Sequence, residues 1–117
     1  MSGKPVPGAG DVEINFEGET KVLKPSVRAI REISRGADGI TGAIQRVQKL
    51  EFETITLCLA VGLDLTDHGL DGFEDRVFKE GVAKFTAPLI TYLVRLSNGG
   101  RPISREADKT TENPSKT

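Results

Sequence analysis

The chain has 117 residues, and its 16 Lys and Arg against 17 Asp and Glu give a formal net charge of −1. The length fits one domain, and the charge balance argues against a dedicated nucleic-acid binder, which would show a basic patch or stripe. The hydrophobic fraction is 37%, and the polar residues lie largely at the two ends, so an ordered middle with polar ends is expected.

Cysteine usage and hydropathy bear on the compartment. Cys58 is the only cysteine, so no internal disulfide can form and a reducing compartment is expected. The first residues lack the apolar region of a signal peptide. No apolar run approaches the roughly 20 residues needed to span a membrane. The sequence therefore predicts a cytoplasmic protein without membrane contact.

The first predicted element is a β-hairpin within residues 11–24. It follows a Gly- and Pro-rich segment, residues 1–10, that is expected to be flexible. Val12, Ile14 and Phe16 alternate with polar residues, which is the period of a half-buried strand. A second strand returns after a short turn, ending in two apolar residues.

The register of this hairpin has two solutions around Glu17-Gly18, since Gly tolerates positive φ. A two-residue loop pairs Ile14 with Lys21. One more loop residue sets Ile14 opposite Val22. We favour the second register, because it places apolar side chains on one face.

Apolar residues at helical spacing predict two helices after the hairpin. Ser26 is expected to cap a short first helix, which Gly36 ends. Asp38 is expected to cap a second helix running from Gly39 to Leu50.

A third helix is predicted from Glu51 or Phe52 to Val61. It is apolar on most faces and is therefore expected at the centre of the domain. The β-branched content of Thr54-Ile55-Thr56 leaves a strand as the alternative. Gly62 is a natural helix end.

Residues 64–72 are predicted to be a loop, after which Asp71 is expected to cap a fourth helix that ends at Gly81. The apolar side chains of that helix are Phe73, Val77 and Phe78. The last helix spans roughly Val82 to Leu96. Pro88 either kinks it or marks a start near Ala87.

The sequence thus predicts an α+β, mostly helical fold, in which an N-terminal β-hairpin packs on a bundle of four to five short helices. The single globular domain covers residues 11–100, with the helices within 26–98 and a disordered tail over 101–117. The apolar face of the hairpin is expected to pack mainly on the third helix. The side chains assigned to that face are Ile14, Phe16 and Val22.

Asp64–Asp75 is the segment closest to a metal-binding loop. Counted as a twelve-residue calcium loop, it has Asp first and Gly sixth, but Thr66 and His68 stand where carboxylate or amide oxygens are expected. A polar interhelical loop is the favoured interpretation. A single histidine and a single cysteine exclude a two-histidine zinc site and a thiolate cluster. Cys58 is expected to be a buried structural thiol.

Gly36–Gly42 is glycine-rich and leads into a helix, as phosphate-binding loops do. It lacks the Lys-Ser/Thr ending of a P-loop, and one helix end followed by a helix start explains it. No catalytic residue, cofactor or metal is therefore predicted, and the protein is not expected to be an enzyme.

The candidate partner contacts are charged residues on the hairpin and the first helix. Three arginines share the outer side of that helix, where a solvated face is the favoured interpretation and contact with an anionic partner the second. The free edges of the hairpin could pair with another subunit. The candidate contact residues are Glu13, Lys21, Arg28, Arg31 and Arg35.

The order of hairpin, Pro-Ser and short helix resembles the small tail proteins of gene transfer agents and siphophage-like prophages, a family understood as tail assembly chaperones. The shared pattern is an apolar strand, an x-Gly turn, a second strand ending in Leu, and a helix containing Ala-Ile-x-x-Ile/Leu. The matching residues are Val12–Phe16, Gly18, Val22-Leu23, Pro25-Ser26 and Ala29–Glu32. The apolar helix Leu57–Gly62 and the last helix Leu89–Leu96, followed by Gly-Gly, match in type. The resemblance covers roughly residues 11–100.

The resemblance implies a non-enzymatic protein that binds the tape measure protein, keeps it soluble and helps recruit tail tube subunits, with homo-oligomerisation open. It also implies the cytoplasm of a bacterial host and absence from the mature particle. The alternative is a structural tail protein, a tube or tube-completion subunit retained in the particle, although the predicted strand content is low for one. A regulatory helix-turn-helix domain is a weaker third interpretation, because the helix after Gly36–Gly42 offers few base-reading residues.

Overall fold

The computed structural model describes residues 10–102 of the chain. Within them lie a two-stranded antiparallel sheet, six α-helices and one 3-10 turn. In chain order the elements are β1 (Val12–Phe16), β2 (Glu19–Leu23), α1 (Val27–Ala37), α2 (Gly39–Gln48), α3 (Phe52–Gly62), α4 (Asp67–Leu70), α5 (Phe73–Glu80), the 3-10 turn (Val82–Phe85) and α6 (Thr86–Ser97). The predicted fold class is confirmed, although α4 falls in a predicted loop. The predictions for 1–9 and 103–117 lie outside the described residues.

The hairpin closes with a two-residue turn, so the longer loop that we favoured is wrong. Glu17 and Gly18 have φ values of 56° and 80°, which is the backbone of a type I′ turn, whose twist matches that of paired strands. Ile14 therefore lies opposite Lys21. Val22 lies opposite Glu13, on the other face of the hairpin from Ile14.

Apolar side chains on the inner face hold the hairpin on the helices. The buried residues of β1 are Val12, Ile14 and Phe16. On β2 this face carries the fully buried Leu23, and not Val22 as predicted. β1 lies against α6 and β2 against α3, so the hairpin bridges two helices instead of resting mainly on α3. The Phe16 ring centroid lies 5.7 Å from that of Phe73 and 5.9 Å from that of Phe85.

Helix α1 begins as predicted and ends differently. The Ser26 hydroxyl accepts a hydrogen bond from the Ala29 N–H at 3.0 Å, which satisfies one of the unpaired donors of the first turn. The helix continues through Gly36 and ends before Asp38, which has a left-handed backbone with φ 62°. Because Asp38 serves that turn, its carboxylate makes no capping bond to α2. The predicted glycine stop is wrong. Asp38 stands at the predicted N-cap position of α2, but its side chain does not cap that helix.

Helix α3 is the central helix, and the strand alternative for its first residues is not adopted. Its buried residues include Ile55, Cys58 and Leu59. Gly62 is the last helical residue, and a Cβ there would lie 2.8 Å from Leu23 Cδ2 and 3.3 Å from Tyr92 Cζ. This glycine therefore allows β2 and α6 to approach α3 closely, beyond the helix-ending role that we predicted for it.

Backbone hydrogen bonds fix the chain where it leaves the hairpin. The Lys24 N–H donates to the Gly62 carbonyl at 2.9 Å. The Tyr92 hydroxyl, on α6, donates to the Lys24 carbonyl at 2.8 Å. Residue 24 is thus bonded to both helices that the hairpin bridges.

The second half of the helical bundle differs from prediction at two residues. Gly72, with φ 71°, precedes α5 in the place predicted for Asp71, and Phe78 points away from the core and is 75% exposed. Gly81 ends α5 with φ 89°, as predicted. Pro88 lies in the first turn of α6, where an N–H has no helical acceptor and its loss is harmless. The predicted start near Ala87 is therefore the alternative that is observed.

A group of charged side chains, which we call the hairpin clasp, ties the hairpin turn to α5 and the 3-10 turn. The Arg76 guanidinium donates two hydrogen bonds to the Glu17 carboxylate, at 2.7 and 3.0 Å, and lies 5.4 Å from the centre of the Phe16 ring. The Glu17 N–H donates to Glu80, which also pairs with Lys84 at 2.6 Å. The hydrogen bonds from Arg76 hold the pKa of Glu17 below its ordinary value.

Candidate partner-binding surfaces

The structure separates the two candidate contacts on the hairpin. Glu13 is exposed on the outer face of β1. Lys21 lies on the inner face, opposite Ile14, and its ammonium is 3.1 Å from the Glu19 carboxylate. A single partner surface on the hairpin cannot contain both side chains in this arrangement.

The three candidate arginines are exposed along α1, but part of their positive charge is already paired with carboxylates of this protein. The Arg28 guanidinium pairs with the Asp64 carboxylate at 2.6 Å and holds the segment after α3 against α1. Arg35 lies 3.9 Å from Glu32. Arg31 makes no ion pair with any residue between 10 and 102. This face is a solvated basic surface with one tethered arginine, in keeping with the favoured interpretation.

A surface feature of chemical interest lies elsewhere, between α3 and the α4–α5 segment. It is a groove of about 420 Å³, which we call the acidic groove. Its lining residues are Glu53, Thr56, Leu57, Ala60, Leu70, Gly72, Phe73, Glu74 and Asp75. The volume falls in the range of about 300–1,000 Å³ that is usual for ligand-binding clefts.

The floor of the acidic groove is apolar and its rim is negative. Leu57 and Ala60 are half-buried, and Leu70 is 45% exposed. The rim carboxylates of Glu53 and Glu74 are exposed. The groove therefore combines an apolar contact area with charges that remain in water, which is the usual layout of a protein-binding site.

The rim carboxylates belong to the first turns of helices. Glu53 is in the first turn of α3, while Glu74 and Asp75 are in the first turn of α5. There they complement the positive end of the helix dipole. None of the three forms an ion pair with another residue in the described part of the chain. Their charge is thus accessible to a partner.

Phe78 extends this surface along α5. It lies one helical turn beyond Glu74 and Asp75, on the same side of the helix. Phe78 is 75% exposed and leaves a large apolar area in water, although it is not itself a lining residue of the groove. Apolar patches of this kind mark interaction sites more often than single exposed residues do.

A second groove, of about 350 Å³, lies where α1 begins and α6 ends. It is lined by Val27, Ile30 and Leu96 and by the turn at Gly99 and Gly100. Gly10 and Pro25 border the same turn, because a Cβ at Gly10 would meet both Gly100 and Pro25. This groove therefore adjoins the first residue that the structure describes.

Reactive chemistry is confined to buried or isolated groups over residues 10–102. No cluster of three His, Cys, Asp or Glu residues there could hold a metal ion. Cys58 is fully buried, and burial raises the pKa of its thiol to about 12, so the thiolate nucleophile is strongly disfavoured. Burial also raises the pKa of the Tyr92 phenol. In the same range, no helix is long and apolar enough to cross a bilayer.

Comparisons of the chain with protein-family models, with curated proteins and with solved structures found no match. The family resemblance therefore rests on the motifs quoted above. Those motifs lie in the hairpin and α1.

Sequence reasoning missed the acidic groove for two reasons. The sequence places Phe78 among the apolar side chains of its helix with Phe73 and Val77, although only Phe73 and Val77, at i and i+4, are buried. The first-turn acids of α3 and α5 are ordinary helix-start signals, and nothing local shows that the two helix starts face one cleft. A phenylalanine outside the i, i+4 stripe of α5 was the one available signal.

Proposed function

We propose that this protein is a non-enzymatic, phage-like tail assembly chaperone that binds the tape measure protein and helps recruit tail tube subunits. The observation that carries the proposal is the acidic groove with its exposed neighbour, Phe78, since an open apolar cleft suits the capture of another chain. The resemblance of the hairpin and α1 to tail assembly chaperones supplies the identity of the partner.

The physical logic follows from what a tape measure protein exposes. A long helix with an apolar stripe aggregates unless the stripe is covered, and a groove between helices can cover it. The two-stranded sheet also leaves one edge of each strand unpaired within the described residues, which offers a route to contact between subunits. Such a chaperone would act in the cytoplasm of a bacterial host and would leave before the particle is complete.

Coexpression with the tape measure protein encoded at the same locus tests the proposal. We expect a soluble complex that copurifies, and we expect the Leu70→Ser/Phe78→Ser variant to yield less of it. Leu50→Ser is the matched control, because Leu50 is exposed to the same extent as Leu70, 47% against 45%, and is not among the lining residues of the acidic groove. Unchanged solubility of the tape measure protein without copurification would overturn the proposal.

Mass spectrometry of purified particles separates this role from that of a structural tail protein. A chaperone is expected to be absent or substoichiometric. Abundant stoichiometric copies would favour a tube or tube-completion subunit instead, which the ten strand residues of β1 and β2 make the less favoured role.

A further inference from the structure

We infer that the acidic groove binds a basic amphipathic helix, a partner segment with large apolar side chains along one stripe and Lys or Arg beside that stripe. The inference rests on the proposed function in taking the ligand to be a segment of another protein. It adds the chemistry by which that segment is chosen.

The groove has an apolar lining. Leu57 from α3 and Leu70 from α4 line the groove together with the buried Phe73 from α5. Phe78 is exposed and lies one turn along α5 from Glu74, a lining residue of the groove. An amphipathic helix places side chains at i, i+3, i+4 and i+7 on one face, so successive anchors could occupy the cleft and then contact Phe78.

The rim of the groove is negatively charged. Carboxylates stand on both sides of the cleft, from Glu53 on α3 and from Glu74 and Asp75 on α5. Of the two cations on α5, Arg76 is bonded to Glu17, and Lys79 forms no ion pair with any described residue. A helix with lysines or arginines on both sides of its apolar stripe would meet opposite charge on each side, whereas an acidic helix would be repelled.

One polar side chain of the groove wall lacks a hydrogen-bond partner among the described residues. Thr56 lines the cleft, and its hydroxyl is shielded from solvent without a hydrogen-bond partner between residues 10 and 102. A buried hydroxyl without a partner is unfavourable. A polar group on a bound segment could supply the missing hydrogen bond after a change of the Thr56 rotamer.

A pair of synthetic helical peptides tests the inference directly. One peptide, about 18 residues long, carries Leu at i, i+3, i+4 and i+7 with Lys on both sides. Its twin carries Glu in place of every Lys. Fluorescence anisotropy should show the Lys peptide binding at least about tenfold more tightly than the Glu peptide, with affinity falling between about 0.05 and 0.3 M salt. Equal affinity for the two peptides, or binding of neither, would overturn the inference.

Charge reversal at the rim tests whether the peptides bind in the acidic groove. Glu53→Lys/Glu74→Lys should weaken the Lys peptide roughly tenfold and should strengthen the Glu peptide. Glu13→Lys/Glu19→Lys makes the same change of net charge on the hairpin, outside the acidic groove, and should leave both affinities within about twofold. A urea titration of each variant shows whether it remains folded. If both double variants behave alike, the peptides respond to net charge and the inference is wrong.

A second copy of the chain is the competing occupant, since α1 presents Arg31 and Arg35 to solvent. Sedimentation velocity tests it. Self-association that is lost both in Arg31→Glu/Arg35→Glu and in Glu53→Lys/Glu74→Lys would assign the groove to another subunit and overturn the inference. A monomer that binds the Lys peptide supports it.

The two proposals can fail separately. Copurification with the tape measure protein that persists in Glu53→Lys/Glu74→Lys, with no peptide binding, would refute the inference and leave the chaperone role standing. Peptide binding in the groove without any tape measure complex would refute the chaperone role alone.

Discussion

The two sides of helix α5 carry charge in different ways. On the side towards the hairpin, Arg76 is bonded to Glu17 and rests on the Phe16 ring, so its charge is used within the fold. On the side towards the acidic groove, Glu74 and Asp75 have no internal ion pair among the described residues. One short helix thus separates a surface that is already engaged from one that is open.

This difference predicts where a substitution should affect folding and where it should affect binding to a partner. Residues on the engaged side contact other elements, so changing them alters the free energy of unfolding. Residues on the open side contact mainly water, so changing them should alter chiefly the interaction with a partner, apart from the small helix-dipole contribution of Glu74 and Asp75.

Phe16→Asp should unfold the domain. Phe16 is 1% exposed and packs against Phe73 and Phe85, so the substitution removes a buried ring and places a charge in its site. The expected loss exceeds about 4 kcal/mol, most of the stability of a typical domain. Urea titration followed by circular dichroism measures it, and the Cys58 thiol should become reactive in step with unfolding.

The polar substitution Glu13→Gln, on the outer face of the same strand, is the control. It should leave the unfolding free energy within about 0.5 kcal/mol of the wild-type value. An unchanged thermal midpoint in Phe16→Asp would show that the hairpin is not docked on the helices.

Gly62→Ala should be destabilising by about 1–3 kcal/mol, although alanine favours helix by up to about 1 kcal/mol over glycine. The added Cβ would lie 3.2 Å from Leu23 Cβ and 3.3 Å from Tyr92 Cζ, so two buried side chains would have to move. Differential scanning calorimetry measures the change.

Gly36→Ala is the matched substitution on α1. There the added Cβ approaches only Leu57 Cδ2, the end of a half-buried side chain at the acidic groove. We expect a small change of stability of either sign, with Leu57 displaced towards the groove. Equal destabilisation by the two substitutions would mean that packing at Gly62 is no tighter than at Gly36.

Local signals in the sequence predicted much of this fold and little of its surface. Alternation in β1, the Ser26 cap and the Gly81 stop depend on neighbouring residues, and each prediction was confirmed. The turn register failed because the backbone of Glu17 adopts positive φ, which is uncommon for a residue other than glycine. A glycine that ends a helix and one that allows another helix to approach look the same in a sequence, which explains Gly36.

The acidic groove could not be predicted because it depends on how α3 and α5 meet in space. The two rims are separated by about 20 residues of sequence, and no local pattern reports a distance of that kind. The predicted contact arginines, by contrast, were found from helical spacing, which does not reveal that Asp64 already binds Arg28.

The hairpin clasp should make stability depend on pH. The pKa of Glu17 is lowered in the folded state, chiefly by hydrogen bonds from Arg76, so folding favours its ionised form. The resulting stability is present above the unfolded pKa, near 4.5, and is lost as pH falls through the lower folded value. Urea midpoints measured between pH 6 and pH 3 should therefore fall less in Glu17→Gln than in the wild type.

Arg76→Gln removes the partner and should reduce the pH dependence in the same way. Some dependence should remain in both variants, because hydrogen bonds from Lys84 and from the Glu17 N–H also lower the pKa of Glu80. Identical pH profiles for the wild type and both variants would show that the clasp does not hold in solution.

Phe78→Ser should have the smallest effect on folding and should change the free energy of unfolding by no more than about 0.5 kcal/mol. It nevertheless removes a ring of the same size as Phe16→Asp does. The Phe78 ring is already 75% exposed in the folded protein, so its burial contributes little to the free energy of unfolding. The same substitution should reduce capture of the Lys peptide, because Phe78 lies one turn along α5 from Glu74, which lines the groove. Urea titration and anisotropy on one preparation measure both effects. A large loss of stability would move Phe78 to the engaged side of α5 and would remove the apolar extension on which partner binding depends.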